Sequence, residues 1–196
     1  MLSHKPSEAN PFSAIRLRTV LQRCLNAEVK IGNDSCGKLD AGLLLLVGFS
    51  GDAIQHFAPD LEAMLTSSAE ARREHLEPLF RRWWDKVLQL RIFSDSEGKM
   101  NQSLAQQPPH YGVYLVSQFT LFADLKKGHR PSYTNAIPGA AARLIFDDLI
   151  NFVRCYCSER PAFSGVFAAD MDVRLTNDGP VTLIFDCSLE SGIVSL

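Results

Sequence analysis

A short polar segment interrupts an otherwise apolar strand pattern in the middle of the sequence. Residues 117–121 (SQFTL) end a run from Val113 whose β-branched and aromatic composition predicts a strand over 113–121. Alternation along that strand would place the Ser and the Gln on opposite faces. A buried polar side chain without a partner costs about 1–3 kcal/mol. The strand therefore either ends here and offers polar groups to a ligand, or these groups have local partners, and the spacing alone favours local partners.

A second unusual segment lies at residues 177–182 (NDGPVT). Asn, Asp, Gly and Pro are turn formers, so the residues alone favour a hairpin turn between strands at 173–175 and 181–185. Pro180 has no N–H to donate to a β-ladder. The Gly–Pro bond is one that can be cis, although only about 5–6% of X–Pro bonds in folded proteins are.

Several familiar catalytic patterns are absent from the sequence. The five histidines form no H-x-x-H or H-E-x-x-H array, which disfavours a zinc hydrolase. No G-x-S-x-G elbow occurs, and no His or carboxylate lies near Ser117 or Thr120 to activate a nucleophile. Cys155 and Cys157 are the closest cysteine pair, but their spacing is not that of a typical metal site. We expect neither a metal nor a cofactor.

The elements that must position these residues are visible as hydrophobic patterns. The continuous apolar run at 43–49 predicts a strand buried on both faces, and 15–31 predicts two short strands or one bent strand. A helix capped by Asp60 is predicted through Glu70, and Pro78 suits the first turn of a second helix. The apolar stripe of that helix comprises Phe80, Trp83, Trp84, Val87 and Leu88. Many strands with two or three helices indicate an α+β domain, with the helices packed on an antiparallel sheet.

Composition and charge limit the class of protein. The chain has 196 residues, 46% of them hydrophobic and 21% charged, which is typical of one folded domain. A formal net charge of −2 disfavours a protein that wraps duplex nucleic acid but leaves contact with one end of an RNA open. The longest apolar run is shorter than the roughly 20 residues that span a bilayer, and no secretory signal is visible. Five irregularly spaced cysteines fit reduced thiols, so we expect a cytoplasmic protein without a membrane partner.

Four arginines, at positions 72, 73, 81 and 82, form a basic cluster in the sequence. They are either an RNA-binding surface or ordinary solvated helix faces, and such faces carry arginines routinely. The second interpretation is the favoured one.

Taken in chain order, the motifs resemble the D-aminoacyl-tRNA deacylase family, formerly called D-Tyr-tRNA deacylase. The resemblance extends over about residues 15–187, and SQFTL and NxGPxT are its most specific parts. The matching segments are VLQR (20–23), the glycine-bounded strand 42–48, LRIF (90–93), GKMN (98–101), SQFTL (117–121), RPS (130–132), ADM (169–171) and NDGPVT (177–182).

The resemblance implies a homodimer that hydrolyses the ester between a D-amino acid and the 3′ end of tRNA. It implies that Gly179 and Pro180, joined by a cis bond, enter the partner's active site and present carbonyls to the substrate's amino group. Backbone N–H groups near Phe119 and Thr120 would polarise the ester carbonyl, the 2′-hydroxyl of the RNA would assist, and no metal is needed. The implied catalytic residues are Ser117, Gln118, Phe119 and Thr120, and the implied substrate-binding residues are Met171, Asn177, Gly179, Pro180 and Thr182.

The same resemblance implies an α+β fold in which antiparallel β-sheets roll into a barrel-like core flanked by α-helices. It divides the chain into an N-terminal extension (1–14), one deacylase domain (15–187) with an insertion near 55–77, and a C-terminal tail (188–196). The sequence departs from the family at His129, where the family commonly has Arg.

We expect the site to distinguish D- from L-amino acids by shape. If the ammonium and the ester carbonyl of an α-amino acid are fixed, its chirality decides where the side chain points. A backbone wall on the L side then excludes L residues and admits glycine, so glycyl-tRNA should be cleaved as well. Two alternatives stay open: a non-catalytic RNA-binding module that uses the four arginines, and an editing deacylase for an L-aminoacyl-tRNA, which a trans Gly179–Pro180 bond would favour.

Overall fold

A computed structural model of the chain describes residues 12, 14–51 and 65–195. These residues form an α+β fold, as predicted, with a seven-stranded sheet, a separate two-stranded sheet and two α-helices. The strands are β1 (Ile15–Ile31), β2 (Asp34–Leu39), β3 (Ala41–Gly51), β4 (Phe93–Ser94), β5 (Met100–Gln102), β6 (Tyr111–Ser117), β7 (Ala162–Ser164), β8 (Asp172–Ser188) and β9 (Gly192–Ser195). The α-helices are α1 (Ala69–Gln89) and α2 (Gly139–Tyr156), and short 3₁₀ helices span Leu104–Gln106 and Phe119–Phe122.

The large sheet has the order β7-β6-β3-β1-β8-β9, with β2 paired to β1. It is mixed, because β3–β6 and β6–β7 are parallel pairs whereas the other pairs are antiparallel. The chain passes through α1 between β3 and β6 and through α2 between β6 and β7. Helical crossovers of this kind are what join parallel neighbours. The barrel-like core was expected from the resemblance, but in the described residues the sheet ends at β7 and β9 and does not close into a barrel.

Strand β3 is buried on both faces, as its apolar run predicts. Leu43, Leu45 and Val47 belong to the main core, in which the sheet packs against both helices. Leu44 belongs to a second core on the opposite face, together with Tyr114 of β6 and residues of β1, β2 and β8. Strand β3 therefore lies between the two cores and contributes side chains to both.

The segment 15–31 is one bent strand, the second of the two forms considered. Its first part pairs with β3 as far as Cys24, and its last part pairs with β2 from Ala27 onward. Its pairing with β8 shifts register twice, between Gln22 and Asn26. The bend lets the ends of β1 and β8 cover the second core.

Helix α1 differs from the prediction at its start. Ser68 is its N-cap, and its hydroxyl oxygen accepts the N–H of Ala71. Pro78 lies within the helix and not in its first turn. Both Pro78 and Glu74, whose carbonyl loses its helical partner, are exposed, so solvent can satisfy that carbonyl. The apolar stripe is confirmed: Phe80, Trp83, Trp84 and Val87 are buried. The predicted Asp60 cap and part of the expected insertion lie outside the described residues.

The four arginines of the basic cluster are engaged within the protein. Arg72 and Asp148 form a buried ion pair between α1 and α2, at 2.6 Å, and Arg73 lies 3.7 Å from the same carboxylate. Arg81 pairs with Glu77, and Arg82 donates to carbonyls at the end of β8. The contacts of Arg72, Arg73 and Arg82 join α1 to α2 and β8, which favours the structural interpretation of the cluster. None of the helices in the described residues is long and apolar enough to cross a membrane.

Candidate active site

A pocket with a volume of about 550 Å³ lies where β3 and β6 end. This is the size of a typical small-molecule site. Its walls are mostly apolar and come from β3, the end of β6, the segment before α2, and the connection from β7 to β8. The lining residues include Gly48, Ser117, Gln118, Phe119, Tyr133, Gly139 and Met171.

The polar segment 117–121 reaches this pocket because β6 ends at Ser117. The predicted strand over 113–121 is therefore too long by four residues, and a 3₁₀ turn over Phe119–Phe122 replaces its end. Gly48 of β3 makes the close approach possible. A Cβ at this position would lie 2.6 Å from the backbone oxygen of Gln118. The N–H of Gln118 also donates to the carbonyl of Val47 at 2.7 Å, which ties the turn to the buried sheet.

The local partners that the spacing favours are present for two of the polar side chains. Thr120 Oγ1 donates to Gln118 Oε1 at 2.8 Å, so these two side chains are local partners. At the same time Ser117, Gln118 and Phe119 line the pocket. The backbone N–H groups of Phe119 and Thr120 begin the 3₁₀ turn and have no acceptor within the part of the chain that the structure describes. Such free donors at a pocket can polarise a bound carbonyl.

Aromatic rings stand at the pocket wall. Phe119 is 54% exposed and packs edge-on against Tyr133, with 5.0 Å between ring centroids. Met171 lines the same pocket, and Gly165 makes room for it, since a Cβ there would lie 2.6 Å from the Met171 sulfur. An exposed ring beside an apolar pocket suits the stacking of a nucleobase.

The pocket offers almost no acid–base chemistry from side chains. Tyr133 is the only titratable residue among those that the structure shows lining it. Within the described residues, no group of three or more His, Cys, Asp and Glu side chains could hold a metal ion. The arrangement can therefore bind and orient a substrate and stabilise charge with backbone groups.

The second predicted segment forms a bulge inside one continuous strand. The hairpin turn predicted at 177–180 is wrong, because the chain on both sides of it pairs with β1 as parts of β8. Asn177 is opposite Cys24 and Thr182 is opposite Gln22, so four residues of β8 face a single residue of β1. Gly179 and Pro180 are exposed at the tip of this bulge. Their peptide bond is cis, as the resemblance implies, and Gly179 has φ of +117°.

The bulge is held by side chains beneath it. Asn177 Oδ1 accepts the N–H of Val181 at 3.1 Å, and Asn177 Nδ2 donates to Thr182 Oγ1 at 2.9 Å. Gln22 Nε2 lies 3.4 Å from the same hydroxyl oxygen. Burial raises the pKa of the neighbouring Cys24 thiol to about 11, so this thiol stays neutral.

Arg23 is a residue of the site to which the sequence analysis assigned no role. Its buried guanidinium donates Nε to the carboxylate of Asp178 at 2.8 Å and lies 3.3 Å from the Asp178 carbonyl. Its Nη1 donates to the carbonyl of Ile92. The sequence contained a signal for this role. Alternation along β1 places Arg23 on the same buried face as Leu17 and Leu21, where a charged side chain needs hydrogen-bond partners.

The predicted site residues thus fall into two groups in one chain. Ser117, Gln118, Phe119 and Met171 line the pocket, and Thr120 is hydrogen-bonded beside it. Asn177, Gly179, Pro180 and Thr182 form the bulge, and none of them lines the pocket.

Comparisons with known proteins agree on one family. The family model described as D-Tyr-tRNA(Tyr) deacylase matches residues 69–186. A D-aminoacyl-tRNA deacylase of Kosmotoga olearia is 41% identical over 87% of this chain and 97% of its own length. The enzyme of the same name from Nitratidesulfovibrio vulgaris is 40% identical over 87% of this chain and 93% of its own length.

Solved structures share the fold. A protein named c-Myc DNA Unwinding Element Binding Protein superposes with a TM-score of 0.65 at 27% identity, covering 85% of this chain and 96% of that one. A probable eukaryotic D-amino acid tRNA deacylase superposes with a TM-score of 0.62 at 19% identity, covering 87% and 99%.

Proposed function

Because the chain belongs to the D-aminoacyl-tRNA deacylase family and is a hydrolase of that kind, we propose that it senses chirality through the backbone of Gly179 and Pro180. The single observation that carries this proposal is the exposure of Gly179 and Pro180 at the tip of a bulge in β8. Ser117, Gln118, Phe119 and Met171 meet at one separate pocket. In the proposal this pocket holds the terminal nucleoside and the ester of a D-aminoacyl-tRNA.

One chain does not bring the bulge to its own pocket. In the register of the sheet, the pocket residue Gly48 pairs with Arg18, whereas the bulge lies opposite Arg23. Five residues along a strand span about 16 Å. The two groups of residues also lie on opposite sides of β1, since β3 and β8 are its two neighbours. We therefore propose that a second copy of the chain supplies the bulge.

The open face of the sheet suits such a dimer. Midway between the pocket and the bulge, Val20 pairs with Leu46 on one side and with Ile184 on the other. Ile184 is 45% exposed although it is apolar. A twofold axis near Val20 and Ile184 would place the bulge of each copy next to the pocket of the other copy. Isologous interfaces of this kind are the commonest in homodimers.

In the proposed site the reaction needs no side-chain base. Phe119 and Tyr133 bind the terminal base by stacking, and the N–H groups of Phe119 and Thr120 stabilise the oxygen that gains charge as water attacks the ester. A preorganised donor of this kind is typically worth about 3–4 kcal/mol of transition-state stabilisation. The 2′-hydroxyl of the terminal ribose assists the attack, as the resemblance implies.

Stereochemistry follows from the same geometry. The carbonyls of the partner's Gly179 and Pro180 hold the substrate ammonium, and the ester carbonyl is held by the N–H groups. An L side chain would then point into the Gly179–Pro180 backbone, while a D side chain points away from it. Gly179 allows this close approach because it has no Cβ.

The proposal predicts a strict order of substrates. D-Tyr-tRNA should be hydrolysed with kcat/KM at least about 100-fold above that of L-Tyr-tRNA, because even a displacement of 1 Å at a reacting centre can cost that much. Glycyl-tRNA should be cleaved as well, since glycine has no side chain to exclude. The measurement is release of labelled amino acid from the three charged tRNAs by the purified protein. Equal hydrolysis of D- and L-Tyr-tRNA would contradict the filter.

A further inference from the structure

A strongly basic loop lies in the chain between two residues that line the pocket, Phe119 and Tyr133. Residues 126–130 (KKGHR), here called the basic loop, are all exposed. Lys126, Lys127 and Arg130 have no carboxylate within ion-pair distance in the described part of the chain. They differ in this from the arginines of α1, which are engaged within the protein. In a chain with net charge −2, three free cations in five residues make a local positive surface.

The basic loop is held in a defined place. Asp124 and Ser132 exchange two backbone hydrogen bonds, of 2.7 and 3.0 Å, that close its base. Asp124 Oδ1 also accepts the N–H of Lys126 at 2.9 Å. Gly128, with φ of +64°, turns the chain back at the tip. The cations are therefore presented on a short closed loop.

The base of the basic loop continues directly into the pocket wall. Before it comes the 3₁₀ turn that carries Phe119, and after it comes Tyr133, whose ring contacts Phe119. Both aromatic residues line the pocket. Arg130 precedes Tyr133 by three residues, so the basic loop adjoins the side of the pocket on which these rings lie.

We infer that the basic loop binds phosphates of the tRNA strand that leads into the pocket. This inference rests on the proposed function, because it takes the pocket to hold the terminal nucleoside of that strand. Exposed lysine and arginine side chains bind nucleic-acid phosphates without regard to base sequence. The basic loop would thus give affinity for any tRNA, whereas the choice of amino acid is made inside the pocket.

The test is the double variant K127A/R130A, assayed on two substrates. On D-Tyr-tRNA its kcat/KM should fall about 10-fold near 0.1 M salt, and the log–log slope against salt should flatten by about 1.4, since each single-strand phosphate contact contributes about 0.7. On D-tyrosyl-adenosine, which has no phosphate, its kcat/KM should equal that of the parent. The Kd for uncharged tRNA, from fluorescence anisotropy, should rise about 10-fold with the same flattening.

The matched control is K86A/R154A, which removes two exposed cations from α1 and α2, outside the pocket lining. Its salt slope and its Kd for tRNA should stay at the parental values. An unchanged slope and Kd in K127A/R130A would overturn the inference, as would an equal loss on D-tyrosyl-adenosine. Failure of the parent protein to hydrolyse either substrate would instead contradict the proposed function, and the Kd for uncharged tRNA would still decide the role of the basic loop.

Discussion

The variant Gly179→Val should lose about 99% or more of kcat/KM on D-Tyr-tRNA, because a side chain at the bulge tip misplaces the ammonium contact at the reacting centre. Two features of the structure make the position intolerant. Its φ of +117° is a conformation that residues with a Cβ rarely adopt, and an added Cβ would lie 2.9 Å from Arg23 Nη2 and 3.0 Å from Val181 Cγ2. In the proposed site, valine would also fill the space next to the substrate.

Steady-state kinetics on D-Tyr-tRNA measure this effect, with thermal unfolding and light scattering as checks on folding and association. The control is Gly32→Val, which places the same residue at another glycine of positive φ, in the turn between β1 and β2, where a Cβ meets nothing within 4 Å. Gly32→Val should also lose stability, because valine is again forced into a positive φ. It should keep the parental kcat/KM on D-Tyr-tRNA. Ser117→Ala should cost less than Gly179→Val. Parental hydrolysis by a folded Gly179→Val protein would show that the bulge is not part of the site.

Removal of the Arg23 guanidinium should produce the second large effect. The variant Arg23→Ala leaves the Ile92 carbonyl and the Asp178 carboxylate without their donor. We expect a loss of about 2 kcal/mol in the free energy of unfolding, because an unsatisfied buried polar group costs about 1–3 kcal/mol and Asp178 is partly solvated. We expect kcat/KM to fall about 10- to 100-fold, since the bulge loses its support.

The matched control is Arg82→Ala, because Arg82 also donates to two backbone carbonyls, those of Ser188 and Leu189, but does not contact the bulge. Chemical denaturation and kinetics on both variants separate stability from function. Arg82→Ala should lose stability and keep its kcat/KM. If both variants lost activity in proportion to stability, Arg23 would be a structural residue without a role in positioning the bulge.

Short-range patterns in the sequence predicted much of the fold. The apolar run of β3 and the stripe on α1 depend on periodicity alone, and both are confirmed. The segment 177–180 shows where such patterns fail. Asn, Asp, Gly and Pro suit a hairpin turn and a bulge equally well, and the outcome depends on pairing with β1, which is more than 150 residues away in the chain. The helix start also differs, because Ser68 provides a side-chain cap and the exposed Pro78 is tolerated inside the helix.

The sequence motifs predicted several residues of the candidate site, but they did not predict the walls of the pocket. Residues 117–120 and Met171 were expected to lie together. Ser117, Gln118, Phe119 and Met171 meet at one pocket, and Thr120 is hydrogen-bonded to Gln118 beside it. The other walls were missed because residues such as Tyr133 and Gly139 carry no distinctive chemistry and come from distant segments. Arg23 was missed because its partner Asp178 is brought close only by the pairing of β1 with β8.

Subunit complementation tests the central claim most directly. One parent is Gly179→Val, whose bulge is defective and whose pocket is intact. The other is Gly139→Trp, in which the indole fills the pocket from a position where a Cβ meets nothing within 4 Å. The two chains carry different tags, and the heterodimer is isolated by sequential affinity steps. Both homodimers should be inactive, whereas the heterodimer has one intact pocket facing one intact bulge and should show about half of the parental activity. A heterodimer as inactive as the two homodimers, or a protein that stays monomeric while it hydrolyses D-Tyr-tRNA, would contradict a filter donated across the dimer.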